Sequence, residues 1–355
     1  MLFPKNRIIV LSDTVRSGKT TALNKWLAPI QSKAGFICPD IGNSRKLLNL
    51  QTGTYHDFEV NEHEEDCVSI GKFHFSKSVI EKASLAILLA LKTDVQFLVM
   101  DEIGKLEIES DEGFYPILSE VIATYQKPGN GYLILVIRDS LIQKGIDKFN
   151  LQDAILLNLQ EFSAATRLHG LVLAGGNSSR MGFPKGLITY QHTSQQDKLY
   201  HDLNSYCNKV YLSLKVNSIQ TNPTNLPSLL DDKDYPEMGP MSGLISALNK
   251  NPLCNWAVLA CDYPFLKNTD IEFLIKHSAS VNTSVCFGIE NQFEPLLAVY
   301  HLNDFKAFWN LLQSGNQSLR KFQNCIQPQV LKPKDNSILF SADTPSDMKE
   351  AKLKL

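Results

Sequence analysis

The chain has 355 residues, 43% apolar and 20% charged, with a formal net charge of -2. That length fits two domains of roughly 100–200 residues, each able to bury its own core. The charge balance excludes a chain-wide basic field of the kind that binds nucleic acid, so any polyanion must be held by a local site.

The seven cysteines are odd in number, scattered and never spaced as CxxC, which argues against a disulfide framework or a structural zinc. The start, Met1-Leu2-Phe3-Pro4-Lys5-Asn6-Arg7, lacks the order of a signal peptide, and no apolar run approaches the roughly 18 residues of a membrane span. The expected setting is the cytoplasm, with neither membrane nor nucleic acid as partner.

Short β-rich runs at 7–12, 96–100, 132–137, 170–173, 210–214 and 256–261 alternate with longer helical patterns, which predicts α/β layers on largely parallel sheets. A strand running into a glycine-bearing, phosphate-type loop occurs near residue 12 and again near residue 173. Two such starts imply two sheets. The boundary is placed near Thr166, giving domains 1–166 and 167–355. Gln143 to Arg167 holds no proline and only Gly145, so composition marks no flexible linker there.

In the first domain the buried-strand pattern Ile8-Ile9-Val10-Leu11 leads into Ser12-Asp13-Thr14-Val15-Arg16-Ser17-Gly18-Lys19-Thr20-Thr21 and then a helical run. This is the strand–loop–helix context of a P-loop: Gly18 lets backbone approach phosphate, Lys19 neutralises β/γ oxygens, and the Thr20 hydroxyl suits Mg²⁺. The first glycine of GxxxxGK[ST] is replaced by Asp13, which is expected to bring a carboxylate near the phosphates. Further on, Phe97-Leu98-Val99-Met100 delivers Asp101 and Glu102 at a strand tip, where Asp101 would hold the Mg²⁺ water shell and Glu102 would polarise an attacking water. Arg138, after the 132–137 strand, is either a phosphate contact or a surface arginine.

The segments Ala34-Gly35-Phe36-Ile37-Cys38, Leu50-Gln51-Thr52-Gly53 and Asp101-Glu102-Ile103-Gly104-Lys105-Leu106-Glu107 resemble, in order and spacing, the small P-loop nucleoside-triphosphatase family over about residues 7–160. The resemblance implies nucleotide roles for Gly18, Lys19, Thr20, Asp101 and Glu102, and leaves Lys105 and Glu107 without assigned roles.

In the second domain Gly170-Leu171-Val172-Leu173-Ala174 reads as a strand, followed by the small-residue loop Gly175-Gly176-Asn177-Ser178-Ser179-Arg180-Met181-Gly182-Phe183-Pro184-Lys185. Gly175 and Gly176 expose N–H groups without obstruction, while Arg180 and Lys185 oppose the charge that builds as pyrophosphate departs. Nucleotidyl transfer also needs an acid at a strand tip facing the loop to hold a cation, and Asp262, after the 256–261 strand, fits that need.

The string L-A-G-G-x-S-x-R-M-G-x-x-K closely resembles the signature of molybdenum cofactor guanylyltransferases over about residues 168–350. So do Asp231-Asp232 with Gly239-Pro240-Met241-Ser242-Gly243-Leu244, then Cys261-Asp262-Tyr263-Pro264-Phe265-Leu266, and Glu294-Pro295-Leu296 with Ser318-Leu319-Arg320. The resemblance implies a Rossmann-like three-layer α/β/α domain that uses GTP, molybdopterin and Mg²⁺ at Asp262. It places Leu173, Ala174, Gly175 and Gly176 on the nucleotide, Gly239 and Gly243 near the sugar, and Asp231 or Asp232 near the purine, with Asp232 preferred. Its protein partners would be molybdoenzymes or other cofactor-biosynthesis proteins.

The family's terminal N-x-N-T-P-x-D appears here as Ser341-Ala342-Asp343-Thr344-Pro345-Ser346-Asp347, which changes both amides assigned to the pterin. Leu-Ala-Gly-Gly rather than Leu-Ala-Ala-Gly favours guanylyl over cytidylyl transfer. A cytidylyl- or sugar-phosphate nucleotidyltransferase of the same fold, with a non-hydrolysing nucleotide sensor as first domain, is the alternative.

Overall fold

The computed structural model describes residues 2–355 except 43, 62–65, 176–182, 216–221, 236 and 290–291. Two compact units emerge, Phe3–Ala164 and Ala165–Leu355, each with a mixed α/β architecture and its own apolar core. No helix among the described residues is long and apolar enough to cross a membrane.

The first unit contains β1 (Ile8–Asp13), α1 (Lys19–Leu27), β2 (Lys33–Ile37), β3 (Asp40–Ile41), β4 (Ser44–Asn49), β5 (Tyr55–Asp57), β6 (Cys67–Ile70), β7 (Phe73–Ser76) and α2 (Lys77–Leu91). It continues through β8 (Phe97–Ile103), α3 (Lys105–Glu109), α4 (Tyr115–Tyr125), β9 (Tyr132–Arg138), α5 (Ile142–Phe149), β10 (Ile155–Leu157) and α6 (Leu159–Ala165). Its eight-stranded sheet runs β10-β1-β9-β8-β2-β4-β3, with β5 on β4.

Strands β10 to β2 are parallel, and the apolar runs of β1, β8 and β9 in the middle are buried along the sheet as crossover helices require. Beyond β2 the sheet turns antiparallel through β4, β3 and β5, and β6 with β7 forms a separate hairpin. The sequence reading of a parallel sheet holds for the nucleotide end and not for this extension, whose short strands carry no buried apolar run.

The second unit contains β11 (His169–Leu173), α7 (Gln195–Asn204), β12 (Lys209–Leu214), β13 (Ser228–Leu230), α8 (Pro240–Lys250), β14 (Trp256–Ala260), α9 (Asn268–Ser278), β15 (Val285–Ile289) and β16 (Gln292–Tyr300). It ends with α10 (Phe305–Gln313), α11 (Leu319–Ile326), β17 (Gln329–Leu331) and α12 (Pro345–Lys354). The seven-stranded order is β13-β12-β11-β14-β16-β15-β17, parallel from β13 to β14 and antiparallel across β16.

In both units the parallel strands end at one edge, so loops from neighbouring strands face a common crevice. Asp13 pairs with Arg138, and Ile137 with Ile103, which sets the loop after β1 beside the tips of β9 and β8. Leu173 pairs with Ala260, which sets the loop after β11 beside Asp262.

Candidate functional site

At the first crevice Gly18 precedes α1 with φ 100°, a left-handed conformation that glycine adopts without strain. Lys19 Nζ donates to the carbonyls of Asp13 (2.8 Å) and Thr14 (2.6 Å), fixing the ammonium over the loop. The Thr20 hydroxyl donates to Asp101 Oδ2 at 2.9 Å. Asp101 is fully buried, and the amide of Cys38 also donates to its Oδ2 while that of Glu102 donates to Oδ1.

The β8–β9 register slips between Met100 and Ile103, and the two acids sit in this irregularity with Glu102 at φ 59°. Such a bulge re-aims side chains at a strand tip. Glu102 is held by Arg45 at 3.0 Å and Arg138 at 3.6 Å, and Arg45 also meets Asp40. Burial pushes both Asp101 and Glu102 above the ordinary carboxylate range; repulsion from Asp101 adds to this at Glu102, while Arg45 and Arg138 oppose it.

These residues line a cavity of about 270 Å³ that includes Gly18, Lys19, Thr20, Asp101, Glu102 and Arg138. Asp13 does not line it. Its carboxylate accepts from the amides of Thr14 (2.7 Å) and Leu159 (3.0 Å), which hold it below the usual range and tie the loop to the start of α6. The expected intrusion of this carboxylate on the phosphates is therefore corrected.

Glu107, left without a role by the sequence, is buried and accepts from the amides of Gly104 (2.9 Å) and Phe114 (3.1 Å), so it clamps the segment that follows the acids. Arg45 was missed because it comes from the short antiparallel extension, where no motif frames it.

At the second crevice a cavity of about 510 Å³ is lined by Leu173, Ala174, Gly175, Lys185, Asp231, Gly239 and Asp262, together with Lys215, Glu237 and Asp343. A Cβ on Gly175 would lie 2.8 Å from the Lys215 amide nitrogen, so only glycine lets the loop pass this close to the end of β12. Lys185 Nζ reaches Asp262 at 3.3 Å and Asp343 at 2.7 Å. The Ala342 amide donates to the Asp262 carbonyl at 2.8 Å, which brings Asp343 to the lysine.

Burial works against the Lys185 ammonium, yet Asp343 and Asp262 outweigh it and hold its pKa above the ordinary lysine value. Burial, relieved in part by Lys185, raises Asp262. It also pushes the Cys38 and Cys261 thiols up, which disfavours their thiolate forms.

Asp231, and not the preferred Asp232, faces this cavity. The Asp231 amide bonds to the Leu214 carbonyl, extending the β13 ladder, whereas Asp232 turns to cap the Asp234 amide. Burial raises Asp231 to about 6, with Lys215 opposing. Lys215, paired with Glu237, follows the β12 strand and was findable by the strand-tip rule that identified Asp262. Gly243 does not line the cavity; it is buried in α8 against Ser213 and Leu173. Gly176 and Arg180 lie outside the described residues.

Two strand–loop–helix crevices, one with a P-loop lysine and paired strand-tip acids, the other with a glycine turn, lysine and strand-tip acid, define a nucleotide-binding unit followed by a nucleotidyltransferase-type unit. Residues 8–160 match the model of the NTPase family, and residues 170–329 match that of the MobA-like NTP transferase domain.

The molybdenum cofactor biosynthesis bifunctional protein of Synechocystis sp. is 33% identical over 185 residues, 51% of this chain and 53% of its own. A probable molybdenum cofactor guanylyltransferase of Bacillus mycoides is 27% identical over 154 residues, 42% of this chain and 76% of that protein. The match thus spans about half the length of the first relative. The solved molybdopterin-guanine dinucleotide biosynthesis protein A of Archaeoglobus fulgidus is 18% identical, covers 52% of this chain and 97% of that one, and has a TM-score of 0.45.

Proposed function

We propose that the second unit transfers GMP from GTP to molybdopterin with release of pyrophosphate, and that the first unit binds and hydrolyses a nucleoside triphosphate. The convergence of Gly175, Lys185 and Asp262 on one cavity carries the transferase reading. The guanylyl assignment draws on the names of the curated relatives.

In this reading the Ala174–Gly175 backbone and Lys185 hold the phosphates, with Gly176 and Arg180 completing the loop. Asp231 accepts from purine N–H donors, and Gly239 lies by the sugar. The terminal phosphate of the pterin is already an anion and attacks the α-phosphorus in line, so no strong general base is needed. Catalysis is positioning plus opposition of charge by Lys185 as pyrophosphate leaves.

Among the described residues no group of three or more His, Cys, Asp or Glu is arranged to hold a metal. A single strand-tip carboxylate, Asp262, nonetheless fits Mg²⁺, which takes one or two carboxylates and otherwise water and phosphate oxygens. Thr20 with Asp101 offers the equivalent pair of hard oxygens in the first unit. When bound, the cation would neutralise charge on the departing phosphates. Lys19 then faces the β/γ oxygens, and Glu102 takes a proton from the attacking water, a task its raised pKa suits.

Incubation with molybdopterin, Mg²⁺ and each nucleoside triphosphate in turn, with mass detection of the product, tests the transferase. The guanine dinucleotide is expected. A cytosine dinucleotide, or product only with a sugar phosphate, would replace this reading with its rival.

A further inference from the structure

The 270 Å³ cavity of the first unit adjoins a larger one of about 990 Å³, and the two share Val15, Arg16, Asp40, Arg45, Glu102 and Arg138. Gly18, Lys19 and Thr20 line only the smaller. The shared boundary thus runs from the P-loop residues Val15 and Arg16 to Glu102 with its two arginines, and the larger space extends beyond it. A water molecule needs about 30 Å³; the larger space matches an organic ligand.

Its walls have two chemistries. Phe58 and Phe75 are buried, with ring centroids 4.7 Å apart, and Phe73 is left 38% exposed at the start of β7. Lys72 carries its ammonium 5.5 Å from the Phe73 ring centroid, and Lys105 adds a second exposed cation. Three of the four acids on these walls are engaged, Glu107 by two amides, Asp40 by Arg45, and Glu102 by Arg45 and Arg138, while Glu59 lies on the wall formed by Phe58 and Phe75.

The hairpin bearing Lys72 and Phe73 is anchored. Val60 donates to His74 O and Ser76 to Phe58 O, while Val68 and Ile70 pack on the core. An exposed ring on a fixed support, beside a cation, is the usual platform for a flat heterocycle.

We propose that this cavity binds a phosphoryl acceptor that joins a flat nitrogen heterocycle to a phosphate group, so that the first unit is a phosphotransferase. The ring lies on Phe73 and the acceptor phosphate at the Glu102 end. An acceptor phosphate oxygen forms a bond to the terminal phosphorus of the nucleoside triphosphate as the bond from that phosphorus to the bridging oxygen breaks. The nucleoside diphosphate leaves with the electron pair, and any proton on the attacking oxygen passes to Glu102. The proposal rests on the reading that the P-loop holds a nucleoside triphosphate.

The full chain is incubated with Mg²⁺ and ATP labelled on its terminal phosphate, in separate arms with GMP, AMP, CMP, UMP and molybdopterin, and label on the acceptor is measured against inorganic phosphate. Labelled acceptor is expected in at least one arm, and the arm identifies whether a nucleotide or a pterin supplies the heterocycle. Stacking contributes about 1–3 kcal/mol per base, so Phe73→Ala should cut transfer about tenfold or more while hydrolysis to inorganic phosphate stays within about twofold. No labelled acceptor in any arm, or equal transfer by Phe73→Ala, overturns the proposal. Lys19→Ala reports on the underlying reading: unchanged hydrolysis and ATP binding in that variant would show that the P-loop is not the nucleotide site, and both readings would fall.

Discussion

Replacement of Asp231 by Asn tests the charge logic of the transferase cavity. The carboxyl is raised from the ordinary value of 3.8 to about 6, chiefly by burial. A native pKa above the unfolded one means that the folded chain binds the proton more tightly, so the site favours folding at low pH. That advantage is lost as pH rises from about 4 to about 6 and stays lost above it. The displacement corresponds to about 3 kcal/mol. Because the group is only half-buried, solvent screening reduces this to about 1 kcal/mol. Asp231→Asn, which cannot ionise, should therefore stabilise the second unit by about 1 kcal/mol at pH 7.5 and by roughly half of that at pH 5. Urea denaturation at the two pH values measures it. GTP binding should move the opposite way at pH 7.5, weakening about tenfold or more as a charge-assisted hydrogen bond to the purine is lost. Wild-type affinity should also fall below pH 6, while that of the variant stays flat. A stability gain that ignores pH, together with unaltered GTP affinity, would show that Asp231 neither suffers from burial nor meets the nucleotide.

Lys185→Ala should lower turnover in dinucleotide formation by about 10²–10³ while changing GTP affinity much less, because its charge matters most as pyrophosphate departs; separate kcat and binding measurements decide this, and an unchanged kcat refutes it. Glu102→Gln should abolish hydrolysis by the first unit while nucleotide binding persists, whereas Lys19→Ala should weaken both; phosphate release and a fluorescent-nucleotide titration distinguish the two. Glu107→Gln should cost about 1–3 kcal/mol, since one of the amides of Gly104 and Phe114 would then face an NH₂ group. Thermal unfolding reads that loss, and an unaltered melting temperature would dismiss the clamp.

What the sequence made legible is what strand-tip geometry dictates. Buried runs such as Ile8–Leu11 and Trp256–Ala260 read as central strands, the second parallel to β11 and antiparallel to β16, and residues just past their ends face one crevice. Asp101, Gly175 and Asp262 follow from that geometry, while Gly18, Lys19 and Lys185 follow from the motifs of the two loops. Asp231 and Asp232 could not be separated, because the last hydrogen bond of a three-residue strand decides which of them faces inward. Asp13 was misjudged for a related reason. Its effect depends on the Leu159 amide, 146 positions away, and no local pattern reveals a partner at that distance. Arg45 was invisible because it lies on an antiparallel extension whose strands bury few side chains.

One electrostatic device recurs in both units. Lys185 is shared between two carboxylates in the second, and Glu102 between two guanidinium groups in the first. Each key charge is thus positioned by opposite charges before substrate arrives, which lowers the reorganisation needed at the moment of reaction. The same pairing means that nucleotide must compete with Asp343 for Lys185. Since Asp343 stands where the resemblance expects an amide, Asp343→Asn should release that competition. Tighter GTP binding without a matching rise in turnover is the signature of a lysine held back by its neighbour; weaker binding would make Asp343 a support for the lysine's position.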